Sequence, residues 1–118
     1  MVEDSEDLLL ITRQTLESKG YFVLVARNGD EALHLSGKYP GPIHLILSDV
    51  VLPGMSGMKV WQALQETRPE IGVLFVSGYE TDEISKIPPA KRNFAFLPKP
   101  FSGSALIQKI REILEGKQ

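Results

Sequence analysis

Three short apolar runs, each finishing in one small polar or charged side chain, constrain this sequence more than any other feature. Ile43-His44-Leu45-Ile46-Leu47-Ser48 leads to Asp49, Val73-Leu74-Phe75-Val76 to Ser77, and Phe94-Ala95-Phe96-Leu97 to Lys99. Parallel strands that release their side chains at their carboxyl ends produce this arrangement, with a crevice at those ends. Near the amino terminus, Glu3-Asp4 adds two carboxylates, enough together with Asp49 to hold a hard divalent cation.

Between the runs the pattern is helical. Residues 5–19 carry Leu8, Leu9, Ile11 and Leu16, with Asp4 or Ser5 able to cap the start and Gly20 to close the end. Tyr21-Phe22-Val23-Leu24-Val25 is aromatic and β-branched enough for a strand. Asn28-Gly29 is expected as a turn before a short helix over 31–37, and Tyr39-Pro40-Gly41-Pro42 as a loop. Leu52-Pro53-Gly54-Met55-Ser56-Gly57 is a loop by composition. A helix over about 58–67 follows, with Trp61 and Leu64 on one face, ended by Pro69. A weaker helical stretch covers 81–87 before Pro88-Pro89. The last helix starts near Ser102 and places Leu106, Ile110, Ile113 and Leu114 on one stripe, expected to cover an edge of the sheet. Strands alternating with helices predict an α/β fold, a parallel sheet wrapped on both faces.

With 118 residues, 42% of them hydrophobic, the chain suits one domain over 1–118 with one core. Thirteen basic and fifteen acidic residues give a formal charge of −2 with no long basic run, so nucleic acid is not an expected partner. No cysteine is present, which removes disulfides and thiolate metal sites and fits a cytoplasmic location. The apolar patches fall far short of the roughly 20 residues a bilayer span requires, so no membrane contact is expected of this domain, although a parent chain can be membrane-anchored. His34 and His44 have no carboxylate or cysteine at ligand spacing.

Taken together, the motifs resemble the receiver domain of two-component signalling proteins over the whole chain. The resemblance rests on the acidic pair Glu3-Asp4, on Asp49, on the loop Leu52 to Gly57, on Ser77-Gly78 and on Lys99-Pro100-Phe101. The tract Val76-Ser77-Gly78-Tyr79, with Asp82-Glu83-Ile84, is further similar to receivers at the carboxyl end of hybrid sensor histidine kinases. It implies a flavodoxin-like, doubly wound, five-stranded parallel sheet of order 2-1-3-4-5. It also implies that Asp49 is the phosphoacceptor, fed by the phosphohistidine of a histidine kinase or histidine phosphotransfer domain. Mg²⁺ would be held by Asp4, Asp49, the Val51 carbonyl and, largely through water, Glu3. Lys99 would pair with Asp49 and then with a phosphoryl oxygen, aimed by a cis bond to Pro100. Ser77 and Phe96 would form the switch, with Phe96 lacking the hydroxyl of a tyrosine. Val51 and Tyr79 would flank the path of the hydrolytic water, an apolar and a bulky aromatic group that predict a long-lived phosphoryl state. Such a domain is a signalling module that acts on itself rather than an enzyme with turnover.

One departure stands out: only Met1-Val2 precedes the acidic pair, where the family has a full apolar strand. Strand one is therefore expected to be largely truncated. The domain would then be destabilised, or completed by a second copy through homodimer formation or strand exchange. Each motif also has a plainer reading when taken alone. Glu3-Asp4 can be a solvated acidic terminus, Asp49 a turn former, Ser77 a turn serine, Lys99 a surface charge and Pro100 a helix-start proline. Trp61 and the Leu106 to Leu114 stripe are assigned to packing. Two other functions are compatible with parts of the pattern. A degenerate receiver would serve only as a binding surface, against which the full set of acidic, hydroxyl and lysine positions argues. A haloacid-dehalogenase-like phosphatase needs a second acid two residues after the nucleophile, where this chain has Val51.

Overall fold

A computed structural model describes residues 1–52, 54–77 and 94–115. In chain order they form α1 (Glu6–Ser18), α2 (Gly29–Lys38), β1 (Leu45–Asp49), α3 (Gly57–Thr67), β2 (Gly72–Ser77), β3 (Ala95–Pro98) and α4 (Gly103–Leu114). Pro53, Gly78, Tyr79 and the helix expected over 81–87 lie outside the described residues.

Local chemistry sets the helix boundaries. Asn28, Ser56 and Ser102 each sit in extended backbone and accept the amide of the residue three positions on, satisfying a donor the helix cannot pair itself. Asn28-Gly29 is therefore the start of α2 rather than a separate turn, because the Asn28 side chain caps the helix at Glu31 N. Gly20, at a φ of 89°, ends α1 in the left-handed region that glycine adopts without strain.

The three named strands form a parallel sheet of order β1-β2-β3. Asp49 lies opposite Val76, and Ser77 lies opposite Pro98, so the carboxyl ends of all three strands finish together. Both sheet faces are covered. On one, Ile46, Val73 and Phe75 pack with Ala32 of α2 and Val60, Trp61 and Leu64 of α3. Trp61, Phe75 and Phe94 meet edge to face there, with ring centroids 5.3–6.3 Å apart. On the other face, Leu47, Leu74, Val76 and Leu97 pack with Leu16 of α1 and Leu106, Ile107 and Ile110 of α4. The stripe on α4 packs on this face over β2 and the edge strand β3.

Beyond β1 the ladder thins. Val2 bridges to Ser48 on one side and Ala26 on the other, both parallel. Its amide donates to Leu47 O at 2.8 Å and its carbonyl accepts Asp49 N at 3.2 Å, while Glu3 N reaches Ala26 O at 3.0 Å. Residues 21–25, expected as a strand, form none, and only Ala26 beyond them makes a bridge. Strand propensity becomes a strand only when a neighbour supplies hydrogen bonds, and Met1 to Glu3 reaches only Leu24 and Ala26.

Met1 N donates to Leu24 O at 2.8 Å, a further tie between the amino-terminal residues and the segment that precedes Ala26.

Candidate functional site

Asp49 closes β1, and Lys99 follows β3 directly, so the sheet itself places a carboxylate and an ammonium at one end. Lys99 Nζ lies 2.7 Å from Asp49 Oδ2 and 3.2 Å from Glu3 Oε1. The Lys99 backbone amide is fixed as well, donating to Ser77 O at 2.7 Å, and the Lys99–Pro100 peptide is cis. Glu3 is only 3% exposed, held by Lys99 through one oxygen and by the Ser5 amide, at 3.0 Å, through the other. That second bond satisfies the start of α1, where the Ser5 side chain makes no cap. Asp4 projects into solvent beside them.

Carboxylate oxygens of Glu3, Asp4 and Asp49 all lie within 4.8 Å of one another. At an effective dielectric of ~20, such a pair repels by roughly 3 kcal/mol, less where Asp4 faces water. One ammonium among three carboxylates leaves an excess of two negative charges. Burial alone would lower the Lys99 pKa, but its hydrogen bond to Asp49 and the charges of Asp49 and Glu3 outweigh burial and raise it. Lys99 is therefore a fixed cation at neutral pH. The cluster that remains is a set of hard oxygen donors suited to a divalent cation of the magnesium class.

The other expected site residues fall into three groups. Ser77 is buried at the end of β2, one position past the residue opposite Asp49. Val51 is 56% exposed, and its amide donates to Asp49 Oδ1 at 3.3 Å. Phe96 lies opposite Phe75 and is partly buried against the α2/α3 side of the core. Tyr79 falls outside the described residues.

Two features escaped the sequence reading. The first is the direct Glu3–Lys99 contact, since nothing in linear sequence pairs side chains 96 positions apart. The second is Gly57. A Cβ there would overlap the Asp49 carbonyl oxygen and come within 2.9 Å of Ser48 Oγ, which itself donates to that carbonyl at 2.8 Å. Gly57 N also donates to Val50 O at 2.8 Å, clamping the start of α3 against the end of β1. Gly57→Ala should cost about 1–3 kcal/mol by overpacking, read from urea midpoints.

The chain matches the family described as "Response regulator receiver domain" over residues 1–111. It is 39% identical over 115 residues to the sensor kinase CckA of Brucella abortus, covering 98% of this chain and 12% of that protein. It is 32% identical over 115 residues to the transcriptional regulatory protein CpxR of Escherichia coli, covering 97% of this chain and 47% of that one. The chain thus spans about an eighth and about half of these relatives. The crystal structure of the receiver domain of the hybrid histidine kinase CckA superimposes with a TM-score of 0.80 at 32% identity, covering 96% of this chain and 94% of that one. A CheY-like receiver from Methanospirillum hungatei gives 0.85 at 30% identity, covering 98% and 91%.

Proposed function

The chain belongs to the response regulator receiver domain family of two-component phosphorelay systems, and from that premise we propose that Asp49 is the residue that accepts the phosphoryl group. The Lys99 ammonium, 2.7 Å from Asp49 Oδ2 and tied also to Glu3, is the observation that carries this reading. A carboxylate attacking an anionic phosphoryl donor needs positive charge already in place, because the transition state is stabilised by position and electrostatics rather than by covalent help.

Glu3, Asp4 and Asp49, with the Val51 carbonyl as the family resemblance implies, would hold Mg²⁺, which when bound supplies charge neutralisation around the incoming phosphoryl group. An Asp49 oxygen forms the new bond to phosphorus as the phosphorus–nitrogen bond of a partner phosphohistidine breaks. The bonding pair returns to the imidazole nitrogen. Lys99 transfers its hydrogen bond from Asp49 to a phosphoryl oxygen. Ser77, at the adjoining strand end, donates its hydroxyl to another, and Phe96 follows, changing the face beside β3 and α4. The donor is a histidine kinase or a histidine phosphotransfer domain, and a hybrid kinase is the parent best supported by the CckA likeness. In this reading the parallel order is 2-1-3-4-5, with residues 21–26 and Met1 to Glu3 as the first two positions. The Val2 bridges to Ala26 and Ser48 support that order.

Incubation with acetyl phosphate and Mg²⁺ should label the wild type, as read by intact mass. Asp49→Asn and chelation should each abolish the label. Labelling that persists in a folded Asp49→Asn chain would overturn the assignment, and a folded wild type that never labels would favour a pure binding module. The exposed apolar side chain of Val51, with Tyr79, supports slow hydrolysis: Val51→Asn should shorten the phosphoryl lifetime severalfold in a decay assay after donor removal.

A further inference from the structure

Two consecutive peptide groups connect Asp49 to Val51, and each of their four polar atoms has a partner. In the first, Asp49 O accepts Ser48 Oγ at 2.8 Å and Val50 N donates to Val76 O at 3.2 Å. In the second, Val50 O accepts Gly57 N at 2.8 Å and Val51 N donates to Asp49 Oδ1 at 3.3 Å. A peptide group is planar, so holding both its oxygen and its nitrogen fixes its tilt, and with it the turn the backbone makes on leaving β1. Three of the four bonds are donated by backbone amides. The remaining one depends on the hydroxyl of Ser48.

Little else is placed to replace that hydroxyl. Asp49 N spends the last rung on Val2 O, and among the described residues no backbone amide reaches the Asp49 carbonyl. Ser48 is fully buried, on the sheet face that it shares with Ile46 and Val50 and that α3 covers. The start of α3 packs directly on the bond, since a Cβ on Gly57 would overlap Asp49 O and stand 2.9 Å from Ser48 Oγ. A carbonyl in so closed a place loses its partner when the hydroxyl is removed, and the peptide regains one only by tilting.

We propose that Ser48 is a positioning residue of this site, whose hydroxyl aims the Asp49 carboxylate by holding the peptide between Asp49 and Val50. The role rests on the reading of Asp49 as phosphoacceptor.

The reach of the effect follows from the bonds. Val51 N holds Oδ1 and Lys99 Nζ holds Oδ2 at 2.7 Å, so the carboxylate hangs between a backbone amide and an ammonium. Glu3 anchors that ammonium independently at 3.2 Å. Tilting the Asp49–Val50 peptide therefore moves Val51 N while Lys99 stays, and the carboxylate turns about its Oδ2 contact. In-line attack depends on that angle, and displacing a reacting atom by roughly 1 Å costs about a hundredfold in rate.

The test compares the wild type with Ser48→Ala, Ser48→Thr and Leu106→Ala, each at a temperature where urea titration shows it folded. Leu106 is buried on the opposite face of the sheet and controls for lost stability alone. Labelling by acetyl phosphate with Mg²⁺ is followed by intact mass against time and donor concentration, and amide hydrogen exchange at Val50 is read on the metal-free protein. Ser48→Ala should lower the limiting labelling rate by about tenfold or more, leave the half-saturating donor concentration within about twofold, and speed Val50 exchange by about fivefold or more. Leu106→Ala should do neither to that extent, and Ser48→Thr, which keeps the hydroxyl, should label within about threefold of the wild-type rate. If the alanine chain does not fold, Ser48→Cys, with only a weak donor at the same position, takes its place with the same expected losses. A folded Ser48→Ala chain that labels like the wild type, a Leu106→Ala chain that loses as much, or a folded Ser48→Thr chain as slow as alanine would overturn the proposal. Unchanged Val50 exchange in Ser48→Ala overturns it without any labelling. A wild type that never labels sinks the phosphoacceptor reading instead, so the two failures are distinguishable.

Discussion

A carboxylate as deeply buried as Glu3 has to be paired, and its cation comes from Lys99, 96 residues further along the chain. An unpaired buried carboxylate costs several kcal/mol, which is why such groups are found with partners. The contact can form only when the short amino-terminal strand, β1, β2 and β3 stand side by side in the correct order. The same ammonium bonds Asp49 at 2.7 Å. Folding and the chemistry of the site therefore depend on one shared cation, and the sheet between them acts as the ruler.

Around that cation the balance of charge is deliberately uneven. Glu3, Asp4 and Asp49 crowd their oxygens within 4.8 Å, and Lys99 neutralises one of the three. A structural ion pair would be better served by one acid and one base, because each surplus carboxylate adds repulsion. A second positive charge placed in the crevice would relieve that surplus. It also explains the placement of Asp4 in solvent beside a buried Glu3: the exposed acid is reachable, whereas the buried one positions Lys99.

Much of this was visible in the sequence because the signals were local. The apolar runs ending at Asp49, Ser77 and Lys99 identified the strands within a residue or two, and Ser102 marked the start of the last helix, whereas Asn28 and Ser56, read as turn and loop residues, are helix caps. What stayed hidden depends on pairs distant in the chain. Gly57 looked like one more loop glycine, yet the carbonyl of Asp49 occupies the space its Cβ would need. Residues 21–25 have the composition of a strand, but a strand is a property of two neighbours, and one neighbour is only three residues long. Arg68 gave no signal at all, since its acceptors are carbonyls at the end of α2 and in the loop after it, 27 to 32 residues earlier.

The amino-terminal residues both pair with the sheet and carry two acids of the crevice, and this couples backbone pairing to charge. Glu3 is placed by backbone bonds on both sides: Met1 and its own amide pair with Leu24 and Ala26, and Val2 pairs with Leu47 and Asp49. Displacing Val2 by one pleat would carry Glu3 away from Lys99 and withdraw the Ser5 amide's acceptor at the start of α1. Backbone pairing by Met1 to Glu3 thus governs how the acids at the end of that segment face Lys99 and Asp49.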